Sequence, residues 1–220
     1  MTKEQLLEKA VYIQYPRTYT TYVDYSVPKN IYKLPFPEKG MLYDGWSCNE
    51  HHFTTEYQRK YALPIIFKLL GINYDKGDFY IRKMNSGTFD ISMLHPKNDY
   101  SFEIFGFNRN EHFDNIRYDD LIDITKGHGY SAYHRLYRYP HECSRIINKN
   151  IENNQKIFIS GDSQMIPNIA VLACFFKEVW NFDNRDGHNM RNKWQDITFS
   201  HVLIEMYAAS LDRYINMNFN

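Results

Sequence analysis

The chain has 220 residues, of which 43% are hydrophobic and 24% charged, and its 26 basic and 26 acidic side chains cancel. This length and composition predict one globular domain with a core of its own. Zero net charge excludes a global field that would attract nucleic acid, and no apolar run is long enough to cross a bilayer. We therefore expect neither a nucleic-acid partner nor a transmembrane segment.

The N-terminal segment predicts a short helix and no export signal. Thr2 followed by Gln5 is a capping-box pattern, which favours a helix that begins there. The segment lacks the apolar core of a signal peptide, and three cysteines do not make a disulfide framework. We expect a reducing, cytoplasmic location for the chain as it stands, or association with the cell envelope if it is part of a larger protein.

An irregular stretch and a second helix are predicted next. Residues 15–47 are rich in Tyr, Pro and Gly without a clear period, which is typical of irregular, partly extended chain. Thr55 and Gln58 repeat the capping signature, and Gly71 is a plausible residue to follow the end of the helix. Pro64 predicts a kink, or a helix that begins nearer to it.

Two further segments precede the final third of the chain. Residues 78–107 contain three β-rich runs separated by turn residues, the pattern of an antiparallel hairpin or three-strand meander. Residues 119–150 return to helical character, with Ser131 as one possible N-cap and Pro140 as a first helical residue.

The final third alternates short apolar strands with helices. Strands are predicted at 156–160, 179–182 and 201–206. A helix is expected from Ile166 through Lys177, and a closing helix around 211–215. This alternation indicates parallel strands with right-handed crossovers. We predict an α/β fold: a small parallel sheet of flavodoxin-like type, one domain over 1–220, an inserted antiparallel β-rich segment at 78–107 and a βαβ unit at 156–216.

The first strand of that unit ends in Gly161-Asp162-Ser163. A strand that turns directly into a helix puts these side chains at the carboxyl edge of a parallel sheet, where such sheets bind ligands. Free N–H groups at the start of a helix suit a serine nucleophile, whose reaction intermediate carries an oxyanion. Met165 rules out the Gly-x-Ser-x-Gly elbow of α/β-hydrolases. The same three residues are also a common way to end a strand and cap a helix.

The segment IFISGDSQMIP resembles the first block of SGNH (GDSL-type) hydrolases, and VWNFDNR and HVLIEMY resemble their next two strands. The resemblance covers about the last third of the chain and is nearest the branch that O-acetylates alginate and related bacterial polysaccharides. It implies an SGNH-type fold, Ser163 as the nucleophile, its backbone N–H with Gly161 and Asp162 at the oxyanion, and a carbohydrate or acylated small molecule as substrate. No metal or organic cofactor is required by this chemistry.

The resemblance also implies a base upstream of the serine, because the usual Asp three residues before a C-terminal His is absent. In DITKGHGYSAYHRLY, His128 lies where the branch has its His. Lys126, rather than Asp, stands two positions before it, so Asp123 is the acid that could orient the base through a bent loop.

Other pairings stay open. Asp90 with His95 is a rival pair, and Asp186 with His188 flanks Gly187 after the second strand of the unit. Asp90 and His95 are five residues apart, a spacing that places them on opposite faces of a strand unless the chain turns at Pro96.

Two residues just past the second strand of the unit, Asn184 and Arg185, are candidates for substrate contacts because they follow a strand's carboxyl end. A solvated loop is the alternative for both. The cluster Cys48, Glu50, His51 and His52 does not have metal-ligand spacing, so we expect no metal site.

Three classes of function follow. The first is serine-dependent acyl transfer or ester hydrolysis on a carbohydrate, that is, a polysaccharide O-acetyltransferase or acetyl-esterase. The second is a non-catalytic glycan-binding module with a degenerate SGNH-like fold. The third is a phosphoryl or nucleotide-sugar enzyme that binds phosphate at the helix N-terminus.

Overall fold

The computed structural model describes residues 1–24, 30–41, 53–83, 89–93, 99–105, 110–126, 143–161, 164–183 and 191–206. Its helices are α1 (Lys3–Lys9), α2 (Thr55–Tyr57), a π-helical turn (Gln58–Ala62), α3 (Leu63–Leu70), a 3₁₀ turn (Lys76–Asp78), α4 (Tyr118–Lys126), α5 (Ile166–Leu172) and α6 (Arg191–Trp194). Its strands are β1 (Ala10–Gln14), β2 (Ile31–Lys33), β3 (Phe79–Lys83), β4 (Phe89–Met93), β5 (Tyr100–Phe105), β6 (Asn110–Ile116), β7 (Cys143–Asn148), β8 (Lys156–Gly161), β9 (Glu178–Asp183) and β10 (His201–Met206).

The main sheet has eight strands in the order β2-β1-β10-β8-β9-β7-β5-β6. The first five are parallel to one another, and β7, β5 and β6 extend the sheet with antiparallel pairs. Strands β8 and β9 are parallel neighbours joined through α5, which is the βαβ unit expected from the sequence. The mixed α/β class is confirmed, and the sheet is larger than predicted.

Strands β1, β5 and β7 differ from the sequence prediction, which also did not include β2 or β6. Strand β1 at Ala10–Gln14 was not predicted and pairs with both β2 and β10. Residues Cys143–Asn148 form β7 inside the main sheet, where helical character was predicted. Strand β5 also joins the main sheet, so only β3 and β4 form the separate two-stranded antiparallel sheet.

Local signals explain the helix boundaries. Thr2 and Gln5 form the predicted capping box at the start of α1. The cap of α2 is Thr54 rather than Thr55, since its side chain accepts from the backbone N–H of Tyr57. Gly71 ends α3 with a φ of 68°, the left-handed conformation that glycine adopts without strain. Within the described ranges, no helix has both the length and the apolarity of a bilayer span.

Both faces of the parallel half are covered, because alternate residues of each strand enter different cores. In β8, Ile157 and Ile159 join a core that includes α3 and α5, whereas Phe158 joins Trp194 and Phe199 on the other face. Each of these side chains is fully buried. Burial of one such side chain contributes about 1.5–3 kcal/mol, so the central strands are the most firmly held part of the sheet.

Candidate active site

The strand registers bring three chain segments level with one another at the carboxyl edge of the sheet. Ser160 of β8 pairs with Ile204 of β10, which brings Gly161 level with Glu205. Glu205 in turn is paired with Ile13 of β1. Parallel sheets bind their ligands at this edge, so the end of β8 lies where a ligand site is expected.

Gly161, the last residue of β8, is buried and tightly enclosed. A Cβ atom on Gly161 would lie 2.8 Å from Met165 Cγ and 3.2 Å from Glu205 Oε2. Ordinary carbon–carbon contacts are about 3.5–4.0 Å, so no larger residue fits without displacing its neighbours. Glycine here serves close packing between the strand end and the start of α5, since Met165 is the N-cap residue of that helix.

A buried carboxylate lies beside this turn. Glu205 is 0% exposed, although it belongs to the otherwise apolar strand β10. Burial raises the pKa of the Tyr15 phenol well above its ordinary value, and the negative charge of Glu205 raises it further. A raised pKa keeps the Tyr15 hydroxyl protonated, so that it can donate a hydrogen bond.

Beneath the turn, four polar side chains form a buried network. The Tyr15 hydroxyl donates to Gln58 Oε1 at 2.7 Å, and the amide of Asn168 donates to the same oxygen at 2.9 Å. The Asn168 amide also lies 3.2 Å from the Tyr15 hydroxyl. Tyr15 and Asn168 are 0% exposed and Gln58 is 1% exposed, so these bonds form away from water, where leaving one group unpaired is costly.

Gln164, the fourth member, connects the network to the turn. The Gln58 side-chain amide donates to the backbone carbonyl of Gln164 at 3.1 Å. The backbone N–H of Phe53 donates to the Gln164 side-chain carbonyl at 3.2 Å. Backbone and side chain of Gln164 are thus both fixed, and Gln164 immediately follows Ser163 in the chain.

The chain changes from α-helix to π-helix at Gln58. Residues Gln58–Ala62 form one π turn between α2 and α3. A π turn rotates the side chains that follow relative to an α-helix, and such turns are frequent at functional sites. Aromatic packing supports the same segment, because the Tyr57 ring lies 4.2 Å from the Phe53 ring between centroids.

Of the predicted site residues, the structure describes Gly161 and the backbone of Asp123. Asp123 lies in α4, which packs against α5, the helix that follows the turn. The other predicted site residues lie outside the described residues: Asp162, Ser163, His128, Asn184 and Arg185.

Most residues of the alternative Asp/His pairs and of the Cys/His cluster also lie outside the described residues. Asp90 lies in β4, and its proposed partner His95 is not among the described residues. The pair Asp186 and His188 and the cluster Cys48, Glu50, His51 and His52 also lie outside them. In the described ranges, no three His, Cys, Asp or Glu side chains are close enough to share a metal ion.

The sequence analysis did not identify Tyr15, Gln58, Gln164, Asn168 or Glu205. A signal was available for two of them. Glu205 interrupts an apolar strand, and Asn168 interrupts an apolar helix, whereas charged and amide side chains are buried mainly when they are paired.

Known proteins share this fold without close sequence similarity. No protein-family model and no curated protein matches the chain. A structure of Bacillus cereus PatB1 with a sulfonyl adduct superposes with a TM-score of 0.67 at 15% identity, covering 98% of this chain and 89% of that one. A second PatB1 structure gives a TM-score of 0.62 at 13% identity, covering 96% of this chain and 88% of that one. A DHHW family protein from Eubacterium siraeum gives 0.58 at 12% identity, covering 98% and 84%.

Proposed function

We propose that this chain is an SGNH-like enzyme that performs serine-dependent acyl transfer or ester hydrolysis on a carbohydrate. The observation that carries the proposal is the position of Gly161. It ends a central parallel strand at the ligand-binding edge, and Asp162 and Ser163 follow it directly. Gln164, on the other side of the serine, is held by the buried network. Fixed chain at Gly161 and Gln164 would favour a defined position for a nucleophile between them.

The proposed reaction has two steps. Ser163 Oγ attacks the acyl carbonyl while His128 takes the hydroxyl proton, and the backbone N–H of Ser163, beside Gly161 and Asp162, stabilises the oxyanion. The carbon–oxygen bond of the donor breaks, and its alcohol leaves with the proton from His128. A sugar hydroxyl or water then gives its proton to His128 and attacks the acyl-serine carbonyl. His128 returns this proton to Ser163 Oγ as the acyl–serine bond breaks, which releases the acylated sugar or the free acid and regenerates Ser163. Asp123 orients His128, and Asn184 and Arg185 contact the substrate.

The packing of α4 supports His128 as the base. Tyr118, at the start of α4, contacts the thiol of Cys174, just beyond the end of α5. Because α4 packs against α5, we infer that α4 runs back along it toward the carboxyl edge. His128 follows the last residue of α4, Lys126, by two positions.

The fold neighbours add independent support for acyl chemistry. The PatB1 structure contains a sulfonyl adduct, and sulfonyl reagents of this kind react with activated nucleophiles. The likeness establishes the fold alone, so the reaction is carried to this chain as part of the proposal. We propose the branch that O-acetylates bacterial polysaccharides as its nearest relatives, on the segments IFISGDSQMIP and GYSAYHRL.

Hydrolysis of p-nitrophenyl acetate by the wild type, Ser163→Ala and Ser200→Ala tests the proposal. Ser200 is a matched control, since it lies at the opposite edge of the same sheet, where its hydroxyl donates to the Lys156 carbonyl. We expect a burst of p-nitrophenol from the wild type and Ser200→Ala, and none from Ser163→Ala. Equal turnover by Ser163→Ala would show that another group performs the chemistry.

A non-catalytic glycan-binding module is the alternative, and the sequence offers one observation for it. Lys126 stands where the alginate-type branch has the acid two positions before its His. A chain without an orienting acid would bind a glycan but not cleave an ester. In that case Ser163→Ala would bind glycan as the wild type does, and neither protein would turn over p-nitrophenyl acetate.

A further inference from the structure

Two aromatic rings lie side by side near the end of β2, one exposed to solvent and the other half-buried. The rings of Tyr22 and Phe36 have centroids 4.6 Å apart at an interplanar angle of 38°. Phe36 is 42% exposed, one of three large hydrophobic residues at this level among those the structure describes. A ligand that covered the exposed face of Phe36 would remove apolar surface from water, which is favourable.

The pair is fixed in place by bonds to the backbone beside it. The Tyr22 hydroxyl donates to the carbonyl of Leu34. The Tyr57 hydroxyl donates to the carbonyl of Pro35 at 2.7 Å, which anchors the chain immediately before Phe36. The Lys33 ammonium lies 5.1 Å from the centroid of the Tyr22 ring, a cation–π contact. Both rings are therefore held in place by neighbouring groups.

The ring pair lies on the same sheet edge as the Gly161 turn. Leu34 continues past the end of β2, with its N–H bonded to the carbonyl of Gln14, the last residue of β1. Strand β2 is separated from β8 by β1 and β10, so three strand spacings of about 4.8 Å put the two sites about 14 Å apart along the edge. Contacts also join them, since Tyr57 packs on Phe53, which bonds Gln164.

We propose that Phe36, supported by Tyr22, forms a sugar-stacking subsite that binds an oligosaccharide extending from the carboxyl end of β8. The inference rests on the proposed function and names the substrate as a chain of several sugar units. Pyranose rings present C–H groups on their faces, and these stack on the negative face of an aromatic ring. Two rings are far smaller than the roughly 800 Å² that each partner of a stable protein interface buries, which favours a sugar over a protein. The distance between the sites requires an oligomer rather than a monosaccharide.

The charged groups around the pair suit the same ligand. Lys33 and Glu38 flank Phe36 in the chain, and Glu38 accepts from Lys60 at 2.6 Å while its side chain stays 55% exposed. Donors and acceptors at the rim of an apolar surface are the arrangement that binds sugar hydroxyls and fixes their orientation.

The test compares Phe36→Leu, Phe36→Trp and Tyr80→Leu with the wild type. Leucine keeps apolar bulk but removes the stacking face, and tryptophan restores one. Tyr80 is the matched control, because it is 37% exposed and lies on β3 in the separate two-stranded sheet. Binding of alginate and chitin oligosaccharides of one to six units is measured by titration calorimetry, and p-nitrophenyl acetate hydrolysis is measured in parallel.

We expect the wild type to bind the hexamer of at least one series more tightly than its monomer. Phe36→Leu should lose about three- to tenfold in hexamer affinity, while Phe36→Trp and Tyr80→Leu keep it. Hydrolysis of p-nitrophenyl acetate should be unchanged in all variants. Absence of length-dependent binding, or an equal loss in Tyr80→Leu, would overturn the subsite.

The two proposals fail in different ways. If the protein turns over the ester but Phe36→Leu binds the hexamer as tightly as the wild type does, the subsite is overturned and the acyl-transfer proposal stands. Length-dependent binding that requires Phe36, without ester turnover, would leave the subsite and overturn the catalytic proposal.

Discussion

Replacing Gly161 by alanine should destabilise the protein through one close contact. The added Cβ would lie 2.8 Å from Met165 Cγ, about 0.7 Å inside the shortest ordinary carbon–carbon contact. Met165 is 0% exposed and Glu205 Oε2 lies 3.2 Å away on another side, so the methyl group has no free space to enter. Overpacking of this kind costs about 1–3 kcal/mol.

Urea unfolding followed by circular dichroism measures this cost, and a double-mutant cycle identifies its cause. Met165→Ala alone should lose about 2–5 kcal/mol by leaving a cavity. It also removes the Cγ atom that the new methyl group would meet. The double variant should therefore be more stable than the sum of the two losses predicts, by about 1 kcal/mol or more.

Gly77 provides the matched control for Gly161. A Cβ there would meet only Asp75 atoms at 3.4 and 3.9 Å, which are ordinary contacts. We expect Gly77→Ala to change the unfolding free energy by less than about 0.5 kcal/mol. The reasoning would be refuted if Gly161→Ala were as stable as the wild type, or if its loss simply added to that of Met165→Ala.

Three further predictions concern other parts of the molecule. Gln58→Leu should lose about 1–3 kcal/mol in urea unfolding, because it leaves buried polar partners unpaired, and a loss below about 0.5 kcal/mol would contradict the network. Burial raises the pKa of the Cys174 thiol to about 12. Iodoacetamide at pH 8 should therefore label Cys174 far more slowly in the folded protein than in the unfolded protein, as measured by mass mapping. Equal labelling rates in the two states would contradict this prediction. Hydrogen bonds from Lys149 and Ser101 lower the pKa of Asp114 to about 2. The stability that ionised Asp114 contributes is present above pH 4 and is lost as the pH falls toward 2. An NMR titration midpoint near 4 for Asp114 would contradict the pairing.

The βαβ unit could be predicted from the sequence because its signals are local. Short apolar strands, a helix-spaced segment and a glycine at the turn specify it without reference to the rest of the chain. The same is true of the capping box at Thr2 and the left-handed Gly71, each of which depends on a few neighbouring residues.

Strands β1 and β7 could not be predicted because their signals are tertiary. Ala10 both caps α1 and begins β1, so no turn residue marks the change from helix to strand. Strand β7 carries Ser144 and Arg145 in a short run, and its place between β5 and β9 depends on pairing across the sheet.

The candidate site likewise contains residues with a local sequence signal and residues whose role depends on tertiary contacts. Gly161 was identified from its motif, whereas the network beneath it joins residues more than 100 positions apart, such as Gln58 and Asn168. No local pattern links these two residues, although Asn168 alone interrupts an apolar helix. Their membership of one buried network that holds Gln164 becomes visible only once the strands are assembled.

Covalent labelling of Ser163 tests the central claim most directly. A fluorophosphonate or sulfonyl fluoride probe is reacted with the folded wild type, Ser163→Ala and Ser200→Ala, and the modified residue is mapped by mass spectrometry. The account predicts a single label on Ser163 in the wild type and Ser200→Ala, and no label in Ser163→Ala. An unlabelled wild type, or a label that persists in Ser163→Ala, would contradict it.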